Sequence, residues 1–184
     1  MKKNFFENYN LEFRKLLDLD QNLIKSLGEI KSQLKIIKKK NKKVLIFGNG
    51  GSAAIANHFT IDLIKNTRIR CMNFNESSIL TCLSNDYGYD NWVKKIIEYY
   101  ADKNDLIFLI SSSGESKNMI NGCAAAKNKK CFPIVTFTGF RKGNSLSKKG
   151  DINIWVNSKK YNHIENSHQF FLLSIVDSIK ENKF

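Results

Sequence analysis

Five short apolar runs, separated by segments with helical spacing, constrain the fold of this chain more than any other feature. Each run has about the length of a typical strand, and none alternates apolar with polar residues. Strands that are apolar on both faces predict a parallel sheet covered by helices on both sides, so we expect an α/β fold with a doubly wound five-stranded parallel sheet. The runs are Lys43–Phe47, Arg70–Phe74, Leu106–Ile110, Ile134–Phe137 and Ile152–Val156.

The length and composition suit one domain. A chain of 184 residues that is 42% hydrophobic can bury a single sizeable core. We therefore predict one domain over residues 1–184, with an N-terminal helical region at 1–40 and an α/β core at 41–184. A last helix is predicted over Asn162–Lys180, where apolar residues recur at helical spacing.

A heptad-like stripe near the start predicts one long amphipathic helix flanking the sheet. The stripe packs either on its own domain or on another subunit, and both alternatives stay open. Because a helix this long would overhang a small domain, we expect a homo-oligomer, with a tetramer as the favoured form. Its members are Leu16, Leu23, Ile30 and Ile37, with Leu27 and Leu34 between them.

The charge distribution indicates which partners the protein binds, and the cysteine pattern indicates the cellular compartment in which it works. The formal net charge is +13, but the only dense lysine run, Lys35 to Lys43, closes a helix, where its dipole favours cations. Nucleic acid is therefore not the expected partner. The four cysteines form no CxxC pair and no run approaches the ~20 apolar residues of a membrane span, so we expect a reduced, cytoplasmic protein without a membrane role.

Two loops follow predicted strands at the edge of the sheet where ligands bind in such folds. In "GNGGS" at 48–52, glycines permit a tight turn and close approach of the backbone, and Ser52 is expected to cap the next helix. In "SSSGES" at 111–116, hydroxyls and free backbone N–H groups converge at the positive end of a helix. This second loop predicts a phosphate site.

His58 and Asp62 are four residues apart on the helix that follows the glycine loop. Taken alone, such a pair is an ordinary surface hydrogen bond. Beside two ligand-binding loops, it predicts a pair that shares a metal ion or orients a sugar.

These segments resemble the sugar isomerase (SIS) domain family, and within it the phosphoheptose isomerase branch, across nearly the whole chain. The resemblance rests on "GNGGSA" with "HFTID" beyond it, "SNDYGY" at 84–89, "ISSSGESKNMINGCAAAKNK" at 110–129, "TFTGF" at 136–140 and "IENSH" at 164–168. It implies the SIS fold and conversion of sedoheptulose 7-phosphate into D-glycero-D-manno-heptose 7-phosphate, for lipopolysaccharide or capsule heptose. It also implies a tetramer built by the N-terminal helix, with active sites between subunits.

The resemblance further implies which residues bind the substrate. The phosphate would be held by the hydroxyl groups of the serine loop, and the sugar by the glycine loop and the "SNDYGY" segment. The phosphate ligands are Ser111, Ser112, Ser113 and Ser116, and the sugar ligands are Asn49, Gly50, Gly51, Ser52, Asp62, Asn85, Asp86 and Glu165.

Where the family has a metal and acid–base group of histidine, glutamate, glutamine and histidine, this chain has His58, Asp62, Glu165 and Leu173. Leu173 can neither bind zinc nor transfer a proton. Divalent metal, zinc in the family, therefore has three candidate ligands, His58, Asp62 and Glu165, and no cofactor is expected to be required. Catalysis is assigned to Asp62 and Glu165, with His168 one helical turn further on.

Two classes of function remain open on the sequence. The serine loop and "SNDYGY" favour a sugar-phosphate aldose–ketose isomerase, acting on sedoheptulose 7-phosphate or on a different phosphosugar. The loss of the family's histidine at Leu173 favours a non-catalytic phosphosugar-binding or adaptor protein.

Overall fold

A computed structural model of the chain describes residues 4–181, which form seven α-helices, a 3₁₀ turn and five strands. The helices are α1 (Phe5–Leu16), α2 (Gln21–Lys39), α3 (Gly51–Thr67), α4 (Ser77–Tyr87), α5 (Trp92–Tyr100), α6 (Lys117–Asn128) and α7 (Tyr161–Glu181), with the 3₁₀ turn at Tyr89–Asn91. The strands are β1 (Val44–Phe47), β2 (Cys71–Met72), β3 (Leu106–Ser111), β4 (Ile134–Thr138) and β5 (Ile152–Trp155).

The five strands form one parallel sheet in the order β2-β1-β3-β4-β5, which confirms the predicted fold class. Four strands begin and end within one residue of the predicted positions. The exception is β2, an edge strand of two residues paired with β1. Phe74, predicted as its last residue, instead stacks on Phe47 with ring centroids 6.1 Å apart.

The sheet separates two apolar layers, and alternate residues of each central strand face different layers. Val44 and Ile46 belong to the layer that contains α2, α3 and α7, whereas Leu45 and Phe47 belong to the layer that contains α5 and α6. Since both faces are covered, β1 is apolar at every position and β3 is apolar from Leu106 to Ile110. No helix within residues 4–181 has the length and hydropathy of a membrane span.

The prediction of one long N-terminal helix is wrong, because the chain breaks it after Leu16. α1 ends there, and α2 starts at Gln21 behind Asp20, whose carboxylate accepts a 2.7 Å hydrogen bond from Leu23 N. An aspartate in this position satisfies a free N–H group of the first turn and favours a new helix start. A regular heptad spacing cannot reveal such a break, because the stripe continues on both sides of it.

The stripe on α2 packs mainly on its own sheet. Ile30, Leu34 and Ile37 are buried in the layer shared with α3 and α7. Other apolar side chains of the same helix remain in solvent, with Ile24 45% and Ile36 41% exposed. The apolar side chains that α2 leaves exposed therefore lie outside the heptad stripe.

The strand order reverses between β1 and β3, so the loops that follow these two strands lie side by side at the carboxyl edge of the sheet. Crevices at such a reversal bind ligands in open parallel sheets. The side chains of Asn49, after β1, and Asn118, on α6, join the two loops by reciprocal amide hydrogen bonds of 3.1 and 2.8 Å.

Candidate active site

The glycine loop, residues 48–52, turns directly from β1 into α3. Gly50 precedes the helix at φ +53°, a conformation that a residue with a Cβ rarely adopts. Helix α3 has no side-chain cap within the described residues, so the prediction that Ser52 caps it is wrong. Ser52 instead lies in the first turn, only 3% exposed, and lines the cavity described below.

The serine loop, residues 111–116, is held in shape by its own hydrogen bonds. Ser111 Oγ donates to Ser116 Oγ at 2.9 Å, and Gly114 N, at φ +68°, donates to Ser111 O at 2.9 Å. Ser116 precedes α6 without capping it through its side chain. The free N–H groups of the first turn of α6 are therefore available for an anion, next to the partly exposed hydroxyl of Ser113.

A second loop supports the serine loop from behind. Buried Asn144 donates from Nδ2 to Gly139 O at 3.2 Å and lies so near Gly114 that a Cβ there would be 2.5 Å from this nitrogen. Glu115 Oε1 accepts a 3.0 Å hydrogen bond from Ser145 N, and the hydrogen bonds from Ser145 lower the pKa of Glu115. The carboxylate of Glu115 is thus engaged by this supporting loop. The sequence analysis had not identified Asn144 or Ser145.

A cavity of about 110 Å³ lies between the two loops and the start of α7. Burial raises the pKa of the Glu165 carboxyl, so the group takes up a proton more readily than an ordinary glutamate. Gly51 gives this carboxyl its space, since a Cβ on Gly51 would lie 2.6 Å from Glu165 Cδ. The lining residues are Asn49, Ser52, Ile110, Ser111, Ser112, Ser113, Ser116, Tyr161 and Glu165.

Tyr161 and Tyr89 are the aromatic residues of this region that the sequence analysis missed. Tyr161 lines the cavity while remaining 57% exposed, and its ring packs on Phe140 with centroids 4.9 Å apart. Tyr89 donates from its hydroxyl to Asn49 Oδ1 at 3.0 Å. Tyr89 belongs to the quoted "SNDYGY" segment, so the motif marked the neighbourhood although not this residue.

Asn85 and Asp86 lie outside this cavity, near the end of α4. Both are exposed, and Asn85 Nδ2 donates to Asp86 Oδ1 at 3.0 Å. Within one chain, the described residues therefore bring the glycine loop, the serine loop and Glu165 together, whereas Asn85 and Asp86 remain exposed to solvent outside the cavity.

His58 and Asp62 face α7, also outside the lining of the cavity. His58 Nε2 lies 3.7 Å from Asp62 Oδ2, and the amide nitrogen of Gln169 lies 3.4 Å from His58 Nδ1. Gln169 follows Glu165 by four residues and is therefore on the same side of α7. This spacing was the available signal for Gln169, which the sequence analysis did not use.

His168 lies in the core instead of in the cavity, which disagrees with its predicted catalytic role. It is fully buried, its Nε2 donates to Thr138 O at 3.1 Å, and its ring packs edge-on against Phe137. Burial lowers the pKa of His168 to about 4, an effect only partly offset by the hydrogen bond to Thr138. The residue three positions before it, Glu165, faces the cavity, whereas His168 faces the sheet.

The zinc that the resemblance implies does not fit the side chains present. Within residues 4–181, no three histidine, cysteine, aspartate or glutamate side chains are grouped so that they could hold a metal ion. His58 and Asp62 form a pair with an amide beside them, and Leu173 supplies no ligand atom. A structural or catalytic zinc site needs at least three such ligands, so we assign no step to a metal.

Comparison with known proteins decides the family. Residues 5–139, more than half of the chain, match the family described as SIS domain. The chain belongs to the SIS domain family. Its similarity extends to the phosphoheptose isomerase branch. The phosphoheptose isomerase of Campylobacter concisus is 35% identical over 98% of this chain and 98% of its own length, and that of Sulfurimonas denitrificans is 32% identical over 100% and 97%.

The fold agrees with the same branch. The structure of phosphoheptose isomerase from Neisseria gonorrhoeae superimposes with a TM-score of 0.85 and covers 97% of this SIS chain and 100% of its own, at 24% identity. At this identity the likeness concerns the fold. The five-stranded parallel sheet and its flanking helices are therefore the architecture of the family.

Proposed function

We propose that this SIS protein is a sugar-phosphate aldose–ketose isomerase that converts sedoheptulose 7-phosphate into D-glycero-D-manno-heptose 7-phosphate. One observation carries the proposal: a carboxyl group with a raised pKa, that of Glu165, lines the same cavity as the serine loop. Relatives more than 30% identical over nearly the full chain are phosphoheptose isomerases, which supports this substrate.

The serine loop is the proposed phosphate site. Ser113 and Ser116 offer hydroxyl donors, and the first turn of α6 offers N–H groups at the positive end of its dipole. Ser111 shapes the loop through its bond to Ser116, and Ser112 is buried behind it. Phosphate binding fixes one end of the sugar, so that the other end reaches a defined position beside Glu165.

Glu165 is the proposed proton-transfer group. Conversion of a ketose into an aldose removes a proton from C1, forms an enediol and returns a proton to C2. A carboxylate with a raised pKa suits both halves of this exchange, because it is a stronger base than an ordinary glutamate and holds the abstracted proton more readily until that proton is returned. Asn49 and Tyr161 line the cavity and are the proposed donors that orient the sugar hydroxyls and carbonyl.

The rest of the predicted sugar site is proposed to form between subunits. The cavity of about 110 Å³ is far smaller than the ~300–1,000 Å³ of typical ligand sites, so it encloses only the part of the substrate that lies between the serine loop and Glu165, and not a whole heptose. Asp62, Asn85 and Asp86 lie on exposed parts of α3 and α4, where a neighbouring subunit of a tetramer would bring them to a sugar. In this arrangement Asp62 and His58 orient the substrate.

We place this isomerase in the cytoplasm, because its substrate is a phosphorylated metabolite and its cysteines Cys71, Cys82, Cys123 and Cys131 are thiols. The alternative function is a phosphosugar-binding protein without turnover, favoured by Leu173 and by the incomplete ligand group around His58.

Incubation of the protein with sedoheptulose 7-phosphate, fructose 6-phosphate and ribose 5-phosphate distinguishes the isomerase from this binding protein. New aldose or ketose signals in the NMR spectrum support the isomerase, and binding of all three without new signals supports the alternative.

A further inference from the structure

A second groove, of about 440 Å³, lies on the other side of the start of α7, between that helix and α1. Three lysines and one glutamate line it, which gives a net charge of +2. We call it the lysine groove; its charged members are Lys15, Lys159, Lys160 and Glu12, and His163 lines its inner wall. It shares no lining residue with the cavity of the serine loop.

The imidazole of His163 is the observation that indicates a ligand. His163 is 2% exposed and its Nε2 is buried without a hydrogen-bond partner among residues 4–181. Its ring is fixed by Tyr9 and Phe13 of α1, at centroid distances of 4.1 and 5.6 Å. A buried polar group without a partner is costly, and a ligand that supplies the partner removes that cost.

The groove is electrostatically suited to an anion. The only carboxylate among its lining residues, Glu12, already forms an ion pair with Lys160, while Lys15 and Lys159 form no salt bridge with any described residue. Lys160 O accepts the first hydrogen bond of α7, from Ile164 N at 3.1 Å, so the positive end of this helix of 21 residues also lies here.

We propose that the lysine groove binds the phosphate group of a small metabolite. Lys15 and Lys159 supply charge from two different elements, α1 and the loop before α7, and His163 supplies a donor between them. The volume suits a phosphorylated metabolite as well as free phosphate. Because the ligand bridges α1 and α7, its binding holds α1 in place, and this site is independent of the proposed catalysis.

The chain has three histidines, so selectively labelled imidazole gives three resolvable NMR signals. Burial and Lys160 lower the pKa of His163 in the free protein, and an anion beside the ring favours its charged form. Titration with inorganic phosphate, at constant ionic strength set with chloride, should shift the His163 signal and raise its pKa. The signal of His168, buried in the core, should not move.

Three double variants assign the effect to the lysine groove. Lys15→Ala with Lys159→Ala should weaken the phosphate response of His163 at least tenfold, whereas removal of two exposed lysines elsewhere, Lys39→Ala with Lys40→Ala, should leave it unchanged. Ser113→Ala with Ser116→Ala, which removes the other proposed phosphate site, should also leave it unchanged.

The same titration with fructose 6-phosphate identifies the source of the phosphate group. Tighter binding than inorganic phosphate assigns the groove to a phosphorylated metabolite, and equal binding assigns it to phosphate itself. Hydrogen exchange of α1 should slow in both cases. A His163 signal that ignores phosphate, or that responds equally in both lysine variants, overturns the proposal, as does a response lost with the serine variants.

Discussion

Gly51→Ala tests whether the position of the Glu165 carboxyl controls turnover. A Cβ on Gly51 would lie 2.6 Å from Glu165 Cδ and closer still to Oε2, and ordinary van der Waals contact begins at 3.4 Å, so the carboxyl group must retreat by about 1 Å. A misplacement of about 1 Å costs roughly 100-fold in rate, or about 2.7 kcal/mol of activation free energy. We therefore expect kcat to fall by about two orders of magnitude, measured by NMR with sedoheptulose 7-phosphate.

The fold should survive this change, because alanine is readily accommodated at the first position of a helix and the obstructing group is the end of a flexible side chain. Gly28→Ala is the matched control: Gly28 lies inside α2, and apart from its own helix backbone and chain neighbours no atom lies within 4 Å of the added Cβ, so activity should be unchanged. Gly51→Ala should add little to the loss caused by Glu165→Gln, since both act on one group. Full activity in Gly51→Ala, or additive losses in the double variant, would refute the reasoning.

Four further predictions follow from the same structure. Ser113→Ala with Ser116→Ala should weaken sugar-phosphate binding at least tenfold by calorimetry, because each lost donor to a charged group is worth about 1.5–3 kcal/mol. Folding raises the pKa of Glu165, so the protonated side chain contributes stability at low pH, and this stability is lost as the pH rises through the pKa in the folded protein. Because glutamine carries no charge at any pH, Glu165→Gln should raise Tm more at pH 7 than at pH 4. Ile24→Glu, at an exposed position of α2, should lower the sedimentation coefficient if α2 joins subunits, and an unchanged coefficient counts against that role. Leu173→His should raise zinc affinity by restoring the family's nitrogen ligand, and unchanged affinity would contradict this assignment.

The sheet was predictable from the sequence because a strand that is buried on both faces appears in the sequence as a short continuous apolar run. Strand β1 is apolar throughout, β3 is apolar up to Ile110, and the "GNGGS" and "SSSGES" segments mark the turns that follow these apolar runs. The strand order then brings these loops together. The edge strand β2 was overestimated, because the apolar character of Phe74 comes from contact with the other layer and not from pairing.

The side chains of α7 were less predictable, because helical spacing gives neighbours but not the direction of each face. Glu165 and His168 are one turn apart, yet the first lines the cavity and the second is buried against Phe137. Similarly, the break at Asp20 depends on a local cap, which a seven-residue spacing does not record. Contacts between distant segments, such as that of Gly51 with Glu165, have no signature in a single sequence.

Solvent exchange during turnover tests the central claim most directly. The protein and its Glu165→Gln variant are incubated with sedoheptulose 7-phosphate in deuterated water, and deuterium at C1 and C2 is followed by NMR. We predict incorporation together with formation of the aldose phosphate in the original protein, and at least ~100-fold slower incorporation in the variant, with sugar-phosphate affinity kept within about tenfold. Equal exchange in both proteins, or substrate binding without any exchange in the original protein, would contradict the account.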